Sequence, residues 1–208
     1  MGVTTSTPAP MPTPTLTHSP RARVPLDPPT GWFARQLDRL VARRFGGSAD
    51  PLRAMWHNPR VLRADLALEA GVSRFRSLPP HLGKLAEMTA AIQIECGWCV
   101  DFGYYVAHSA GMPADKLEQV PTWRTSDVFS PLERRVMEFA EAATATPPEV
   151  TDEMTRALRA DLGDDGLVEL TMLVAVENLR SRFNSTLGLS SQGFAESCRV
   201  PAPRVSGR

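Results

Sequence analysis

The stretch Ile94-Glu95-Cys96-Gly97-Trp98-Cys99-Val100-Asp101 holds two of the three cysteines in this chain of 208 residues. The surrounding sequence is typical of helix, and residues three positions apart on a helix are surface neighbours. The sulfur atoms of Cys96 and Cys99 can therefore approach closely enough to cycle between dithiol and disulfide. A Cys-x-x-Cys spacing near a helix N-terminus also lowers the pKa of a thiol, and the thiolate is the reactive form. This stretch predicts a redox-active pair.

Two other interpretations of the cysteine pair remain open. Free cysteines are often small buried apolar side chains without a chemical role. The pair could also be half of a zinc site, but the sequence has no second Cys-x-x-Cys and no closely spaced histidine pair to complete four ligands. A Gly-rich phosphate loop, a Ser-His-Asp signature and a carboxylate cluster with metal spacing are also missing. We therefore expect no metal ion and no cofactor.

Composition narrows the class of protein. Lysine plus arginine number 23, aspartate plus glutamate also number 23, and the basic residues are scattered, so we expect neither a nucleic acid nor a membrane partner. The most apolar run, residues 167–176, contains Glu169 and is too short to cross a bilayer. The N-terminus lacks the charged start and apolar core of a secretory signal. We expect a cytoplasmic protein.

Residues 1–30 differ in composition from the rest of the chain. They contain eight of the nineteen prolines and seven threonines, with almost no large apolar side chains. Such a segment buries too little surface to offset the entropy of ordering it. We therefore predict a disordered Pro/Thr-rich tail over residues 1–30 and a flexible C-terminus over residues 199–208.

From Gly31 onward the sequence predicts one helix after another and no strand. Apolar residues recur at helical spacing, and sustained apolar–polar alternation does not occur. Pro131 suits the first turn of a helix, and Gly111 suits a C-terminal cap. The predicted helices cover residues 32–45, 61–75, 81–94, 96–110, 113–117, 132–145, a segment starting at Thr151, and 166–187. The fold class is therefore all-α, with a helical domain over residues 31–198.

Three segments resemble a known family. Residues 84–113, a helix followed by Cys-x-x-Cys, another helix and a glycine, resemble the core of the carboxymuconolactone decarboxylase and alkylhydroperoxidase D-like proteins. Residues 128–134 resemble that family's connecting segment, and residues 174–188 resemble its terminal helix. The resemblance implies a multi-helix alkylhydroperoxidase D-like domain that assembles into a homo-oligomer.

The resemblance also implies roles for the two cysteines. In the peroxidase members of the family, the second cysteine of the pair attacks a hydroperoxide and the first closes a disulfide. Cys99 would then be the attacking residue and Cys96 the resolving residue. The implied partners are a hydroperoxide substrate and a thiol or dithiol reductant.

The sequence departs from the peroxidase motif at two positions. The motif has a glutamate twelve residues before the first cysteine and a histidine four residues after the second, where this chain has Lys84 and Gly103. His108 does not replace the histidine, because at about 100° per residue it falls on the opposite face of the helix from Cys99. The proton relay is therefore missing from its expected positions.

Another acid must then take the proton from the attacking thiol. Glu87 and Glu177 are the first candidates, because an acidic residue in an apolar helix stripe is costly without a partner. Glu95 and Asp101, beside the pair, are further candidates. The alternative for each is an ordinary ion pair or a solvated side chain, and for Glu177 the obvious partner is Arg180, three residues on.

The aromatic residues around the pair have two interpretations. They form either the wall of an apolar pocket for an organic hydroperoxide or an aromatic core between helices. The residues are Trp98, Phe102, Tyr104 and Tyr105.

Three functions are compatible with this sequence. The first is a thiol-dependent peroxidase-like oxidoreductase, which the Cys-x-x-Cys pair favours. The second is a lactone decarboxylase-type enzyme, which acts by acid–base chemistry and needs no cysteines. The third is a non-catalytic, redox-sensing helical oligomer, which Lys84 and Gly103 keep open.

Overall fold

A computed structural model describes residues 22–45 and 47–198, and it confirms the all-α fold class. Within these residues there are eight α-helices and no strand. The helices are α1 (Trp32–Phe45), α2 (Asp50–Met55), α3 (Pro59–Val72), α4 (Pro80–Gln93), α5 (Gly97–Ser109), α6 (Ala114–Gln119), α7 (Pro131–Thr144) and α8 (Asp152–Thr186). Over this described part of the chain, no helix combines the length and the apolar character needed to span a bilayer.

Local capping signals decide where helices begin. The Ser130 hydroxyl accepts the backbone N–H of Glu133 at 3.3 Å, and the Glu133 carboxylate accepts the backbone N–H of Ser130 at 2.7 Å, so a capping box starts α7. The Asn58 side chain accepts the N–H of Arg60 at 3.1 Å. This cap explains why α3 begins at Pro59, two residues before the predicted start.

One helix differs from the sequence prediction. The six-residue α2 has no counterpart among the predicted helices, because so short a segment shows no periodicity. The two helices predicted on either side of Asp164 are confirmed: α8 consists of two helical segments separated by a kink at Gly163 (φ 73°, ψ 177°), whose backbone is not helical. Glycine adopts such a positive φ at little cost, so the chain changes direction there.

The core surrounds α4, which packs against α5, α7 and α8. One apolar cluster joins α4 to α7 and α8, and its members include Leu82, Ala86, Ala90, Val136, Phe139, Leu170 and Val174. A second cluster joins α4 to α5 and includes both Cys96 and Cys99. The cysteine pair is therefore held by packed helices rather than by a surface loop.

Residues 22–30 pack against the helical domain, so the folded part begins before the predicted boundary at residue 31. The N–H of Arg23 donates to the carbonyl of Leu187 at 2.8 Å, and the side chains of Val24 and Leu26 pack on the cluster that contains the cysteines. The segment is extended and uses backbone hydrogen bonds, which composition does not reveal. Residues 1–21 and 199–208, the rest of the two predicted flexible ends, lie outside the described residues.

Asp101 anchors the C-terminal segment to α5. Its buried carboxylate accepts the backbone N–H groups of Gln192 and Gly193 at 2.8 Å, Phe194 at 3.1 Å and Ala195 at 2.7 Å. Four such hydrogen bonds satisfy a buried carboxylate, so Asp101 has a structural role and is not a candidate for the proton relay.

Candidate active site

Cys96 caps the N-terminus of α5. Its Sγ accepts the backbone N–H of Cys99 at 3.3 Å, in the position that a serine or aspartate oxygen takes in an ordinary N-cap. The preceding residue, Glu95, has φ 59°, and this turn separates α4 from α5. Glu95 is exposed, so it does not share the buried environment of the sulfurs.

The two sulfurs have different surroundings. Cys96 is 1% exposed, whereas Cys99 is 6% exposed and lines a cavity of about 790 Å³. The hydrogen bond between the two thiols and the N–H of Cys99 lower the pKa of Cys96 to about 7, against the opposing effect of burial. The hydrogen bond to Cys96, burial and the nearby Glu177 charge raise the pKa of Cys99. These opposite directions favour the thiolate on Cys96, which does not line the cavity.

Glu177 and Ser181 connect the sulfurs to a buried carboxylate. The Ser181 hydroxyl donates to Oε1 of Glu177 at 2.8 Å and also has hydrogen-bonding contact with both Cys96 and Cys99. Burial raises the pKa of Glu177 to about 7, although Arg180, at 3.2 Å from Oε2, opposes this shift. A carboxyl group with this pKa can accept and return a proton near neutral pH.

Glu87 lies in the cavity wall but is held in ion pairs. Lys84 is 2.6 Å from its Oε2, and Arg180 is 3.0 Å from its Oε1. Burial raises the pKa of Glu87, but these two cations outweigh burial and leave the pKa below its ordinary value. Arg180 also forms a bidentate pair with Glu69 at 2.7 Å. Of the two carboxylates that the sequence singles out, only Glu177 has the pKa of a proton-transfer group.

The cavity beside Cys99 has an aromatic wall. Trp98 and Phe102 are stacked with their ring centroids 4.8 Å apart, and both line the cavity together with Phe45. Tyr104, by contrast, is buried and donates its hydroxyl to the carbonyl of Leu117. Tyr105 packs on Phe45 and lies outside the lining. Trp98 and Phe102 thus form a wall of the cavity, whereas Tyr104 and Tyr105 belong to the aromatic core between helices.

Charged side chains around the cavity are mostly acidic. The lining contains the carboxylates of Asp65, Glu69, Glu87, Glu169 and Glu177 and the cations of Arg76, Lys84 and Arg180. Because the acidic side chains outnumber the basic ones, the local electrostatic potential disfavours the binding of an anionic substrate in the cavity. His108 is half-buried on α5 and does not line the cavity.

Comparison with known proteins decides the family. YnjA of Escherichia coli (strain K12) is 35% identical to this chain over 188 residues, which are 89% of this chain and 97% of YnjA. The sequence model of the carboxymuconolactone decarboxylase family matches residues 59–142, from the start of α3 to the last turn of α7. The chain belongs to the carboxymuconolactone decarboxylase family.

Solved structures confirm the alkylhydroperoxidase D-like fold. The alkylhydroperoxidase AhpD core of a peroxidase-related protein from Ralstonia eutropha JMP134 matches with a TM-score of 0.74 and 20% identity, and the match covers 86% of this chain and 97% of that chain. The debrominase Bmp8, in its complex with 2,3,4-tribromopyrrole, matches with a TM-score of 0.74 and 18% identity, covering 85% of this chain and 97% of that chain. At these identities the likeness concerns the fold alone.

This member of the carboxymuconolactone decarboxylase family departs visibly from the peroxidase motif. Lys84 pairs with Glu87, and Gly103 lines the cavity with Cγ of Met88 3.5 Å from the place where a Cβ would be. The polar groups near the sulfurs come instead from α8. They are Glu177, then Ser181 four residues later, then Asn184 after a further three residues.

Sequence reasoning named Glu177 as a candidate but did not place Ser181 or Asn184 beside the cysteines. Positions i, i+4 and i+7 lie on one helix face, so this spacing within an apolar helix was the available signal. Ser181 is fully buried, and Asn184 is 2% exposed. A sequence does not reveal which polar residue of a helix faces another helix when exposed positions of that helix are also apolar, as Val168, Met172 and Leu179 are.

Proposed function

We propose that this protein is a thiol-dependent peroxidase that reduces organic hydroperoxides with Cys99 and Cys96. One observation carries the proposal: Cys99 lines a largely apolar cavity of about 790 Å³, Cys96 is hydrogen-bonded to Cys99 on the buried side, and the Glu177–Ser181 pair lies beside the two sulfurs. A cavity of this size accommodates an organic molecule. The attacking sulfur, the resolving sulfur and a proton-transfer group thus meet at one place.

The first half-reaction oxidises Cys99. The cysteine pair gives one proton through the Ser181 hydroxyl to the Glu177 carboxylate, and Cys99, as the thiolate of the pair, attacks the terminal oxygen of the hydroperoxide. The O–O bond breaks, the S–O bond of a sulfenic acid forms, and the leaving alkoxide takes the proton from Glu177 to become an alcohol. Glu177 ends this step as a carboxylate.

The second half-reaction closes the disulfide. Cys96 gives its proton through Ser181 to Glu177, and its sulfur attacks the sulfur of the Cys99 sulfenic acid. The S–S bond forms, the S–O bond breaks, and the leaving hydroxide takes the proton to become water. A dithiol reductant then restores both thiols, so the sum is dithiol plus hydroperoxide to disulfide, alcohol and water.

Two alternatives are tested by the same assays. A lactone decarboxylase-type reaction would use Glu177 and leave both thiols reduced. Bmp8 shares the fold and is a debrominase, and the stacked Trp98 and Phe102 offer a flat apolar wall to a halogenated aromatic. Halogenated aromatics are therefore the second substrate class to assay.

Thiol titration of the full chain tests the proposal. In a Cys198→Ser version, which removes the third thiol of the sequence, cumene hydroperoxide should consume both thiols rapidly, and dithiothreitol should restore them. Cys99→Ser should abolish the consumption of peroxide. Cys96→Ser keeps an N-cap residue and should accumulate a sulfenic acid that dimedone traps.

Several results would contradict this function. Retention of both thiols under excess hydroperoxide would favour the decarboxylase-type alternative. Slow oxidation without turnover in the presence of a dithiol would favour the redox-sensing alternative. Equal turnover by Cys99→Ser and the unmodified protein would remove Cys99 from its role.

We also propose that the protein is a homo-oligomer and acts in the cytoplasm. The outer face of α8 exposes Val168, Met172 and Leu179, which follow a helical spacing and have exposed fractions of 69%, 40% and 50%. Large apolar side chains aligned in this way are typical of a helix that packs on another copy of the chain. A reducing compartment would keep the two thiols available for turnover.

A further inference from the structure

In the side-chain amide of Asn184, the nitrogen has a hydrogen-bond partner and the oxygen has none among the described residues. Asn184 lies on α8, three residues beyond Ser181, and lines the cavity next to Cys99. Its Nδ2 donates to Sγ of Cys99 at 3.2 Å. Its Oδ1 is buried and has no hydrogen-bond partner among the residues that the structure describes.

This arrangement is unfavourable while Cys99 carries its proton. A neutral thiol is a weak acceptor, and a buried amide oxygen without a partner has lost the hydrogen bonds that water would supply. The N–H···S bond strengthens when the sulfur becomes a thiolate, because the bond is then charge-assisted. The orientation of the Asn184 amide therefore suits a negative charge on Cys99.

The two sulfurs each receive one N–H group, from different sources. Cys96 accepts the backbone N–H of Cys99 at 3.3 Å, at the N-terminus of α5, and Cys99 accepts the Asn184 amide. Ser181 contacts both sulfurs, so it does not discriminate between them. Of the two N–H donors, the Asn184 amide is the one that acts on the cavity-lining sulfur.

We propose that Asn184 is a catalytic residue that draws the thiolate of the pair from Cys96 to Cys99, where the substrate reaches it. The step moves one proton along the hydrogen bond between the sulfurs, from Cys99 to Cys96, and changes no other bond. The net charge of the pair stays the same, so the cost of desolvating a second charge does not arise.

The proposal deepens the proposed function, because it names the group that places the nucleophile in the cavity. It concerns the ionisation of Cys99 and can be measured without any hydroperoxide. A protein that fails as a peroxidase can still show the effect of Asn184 on this thiol, so the two proposals fail separately.

The experiment compares two asparagines of α8 in a Cys96→Ser, Cys198→Ser background, where Cys99 is the remaining thiol. The pH dependence of the rate of iodoacetamide alkylation gives the pKa of Cys99. A change in the access of iodoacetamide to the thiol that is the same at every pH does not alter this pKa. Asn184→Leu removes the donor. Asn178→Leu is the matched control, because Asn178 donates to Thr144 at 2.8 Å and to the carbonyl of Val174 at 3.0 Å rather than to a sulfur.

We expect Asn184→Leu to raise the pKa of Cys99 by about one to two units, the range for a lost hydrogen bond to a charged group. Alkylation at pH 7 should slow by about tenfold or more, whereas Asn178→Leu should change neither quantity. An equal pKa in the Asn184→Leu and control proteins would overturn the proposal.

A second measurement needs no variant at Asn184. In the same background, the side-chain amide resonances of Asn184 in an NMR titration should shift with the midpoint of the Cys99 alkylation profile, because the amide donates to the ionising sulfur. Amide resonances that stay constant through this midpoint would overturn the proposal even if Asn184→Leu failed to fold.

Discussion

The hydroxyl of Ser181 donates to Oε1 of Glu177 at 2.8 Å, and the same hydroxyl contacts the two sulfurs of the cysteine pair. A serine hydroxyl can accept one proton while it donates another, so it can pass a proton between partners that do not touch. Two residues of one helix, four positions apart, thereby connect a buried carboxylate to the cysteine pair on a different helix.

Glu177→Gln should slow hydroperoxide reduction and change its pH dependence. Burial raises the pKa of Glu177 to about 7, so the carboxylate that accepts the thiol proton is present above that pH and lost below it. The rate in the unmodified protein should therefore rise with pH through about 7. The variant should lose about a hundredfold in rate, the lower end for a general base, in stopped-flow measurements of thiol oxidation.

Two controls accompany this variant. Glu87→Gln should have a smaller effect, because Lys84 and Arg180 keep the pKa of Glu87 low and the group is a weak base. His108→Ala should have little effect, because that side chain does not line the cavity. A larger loss in Glu87→Gln than in Glu177→Gln would reverse the assignment.

The stability of the protein should also reflect the Glu177 carboxyl. Its pKa is higher in the folded protein than its ordinary value, so the folded state binds more protons than the unfolded state between about pH 4.5 and 7. This group therefore makes the free energy of unfolding decrease as pH rises through that window. Urea unfolding of Glu177→Gln should lack this component, and an unchanged slope between pH 5 and 7 would contradict the raised pKa.

A neutral hydroperoxide should be a better substrate than one with a carboxylate. Linoleic acid hydroperoxide and its methyl ester differ by this single charge. Because acids outnumber bases in the lining, we expect the ester to have the higher kcat/KM by about fivefold, the factor for about 1 kcal/mol of like-charge repulsion. The preference should weaken in high salt, and a preference for the free acid would show that Arg76, Lys84 or Arg180 binds it.

Removal of residues 22–30 should destabilise the fold, whereas removal of residues 1–21 should not. The backbone of Arg23 and the side chains of Val24 and Leu26 contact the domain. Differential scanning calorimetry should show that deletion of residues 1–30 lowers the melting temperature by at least about 3 °C relative to deletion of residues 1–21, which corresponds to about 1 kcal/mol. Equal melting temperatures would show that this segment contributes nothing to stability.

Charges on the outer face of α8 should dissociate the proposed homo-oligomer. Met172→Glu with Leu179→Glu places two carboxylates on the exposed apolar stripe, and light scattering should then give the mass of one chain. Leu40→Glu is the control, because Leu40 is 63% exposed on α1. A monomeric mass for the unmodified protein would refute the oligomer, and an unchanged mass for the double variant would place the interface elsewhere.

Local sequence signals determined the helices and the position of the cysteine pair. Pro59, Pro80 and Pro131 occupy the first turns of α3, α4 and α7, and the Ser130–Glu133 capping box needs only its own four residues. The i, i+3 spacing of Cys96 and Cys99 is likewise a property of the chain. The all-α class and the family likeness followed from such short-range patterns.

Only the tertiary structure decided which polar groups meet the sulfurs. Glu87 and Glu177 are equivalent in sequence as acids on apolar helices, and they differ because Lys84 and Arg180 together neutralise one while burial dominates at the other. The packing of the buried face of α8 against α5 brings Ser181 and Asn184 to the sulfurs. The rotation of one helix against another depends on contacts between residues about eighty positions apart, and no local pattern encodes it.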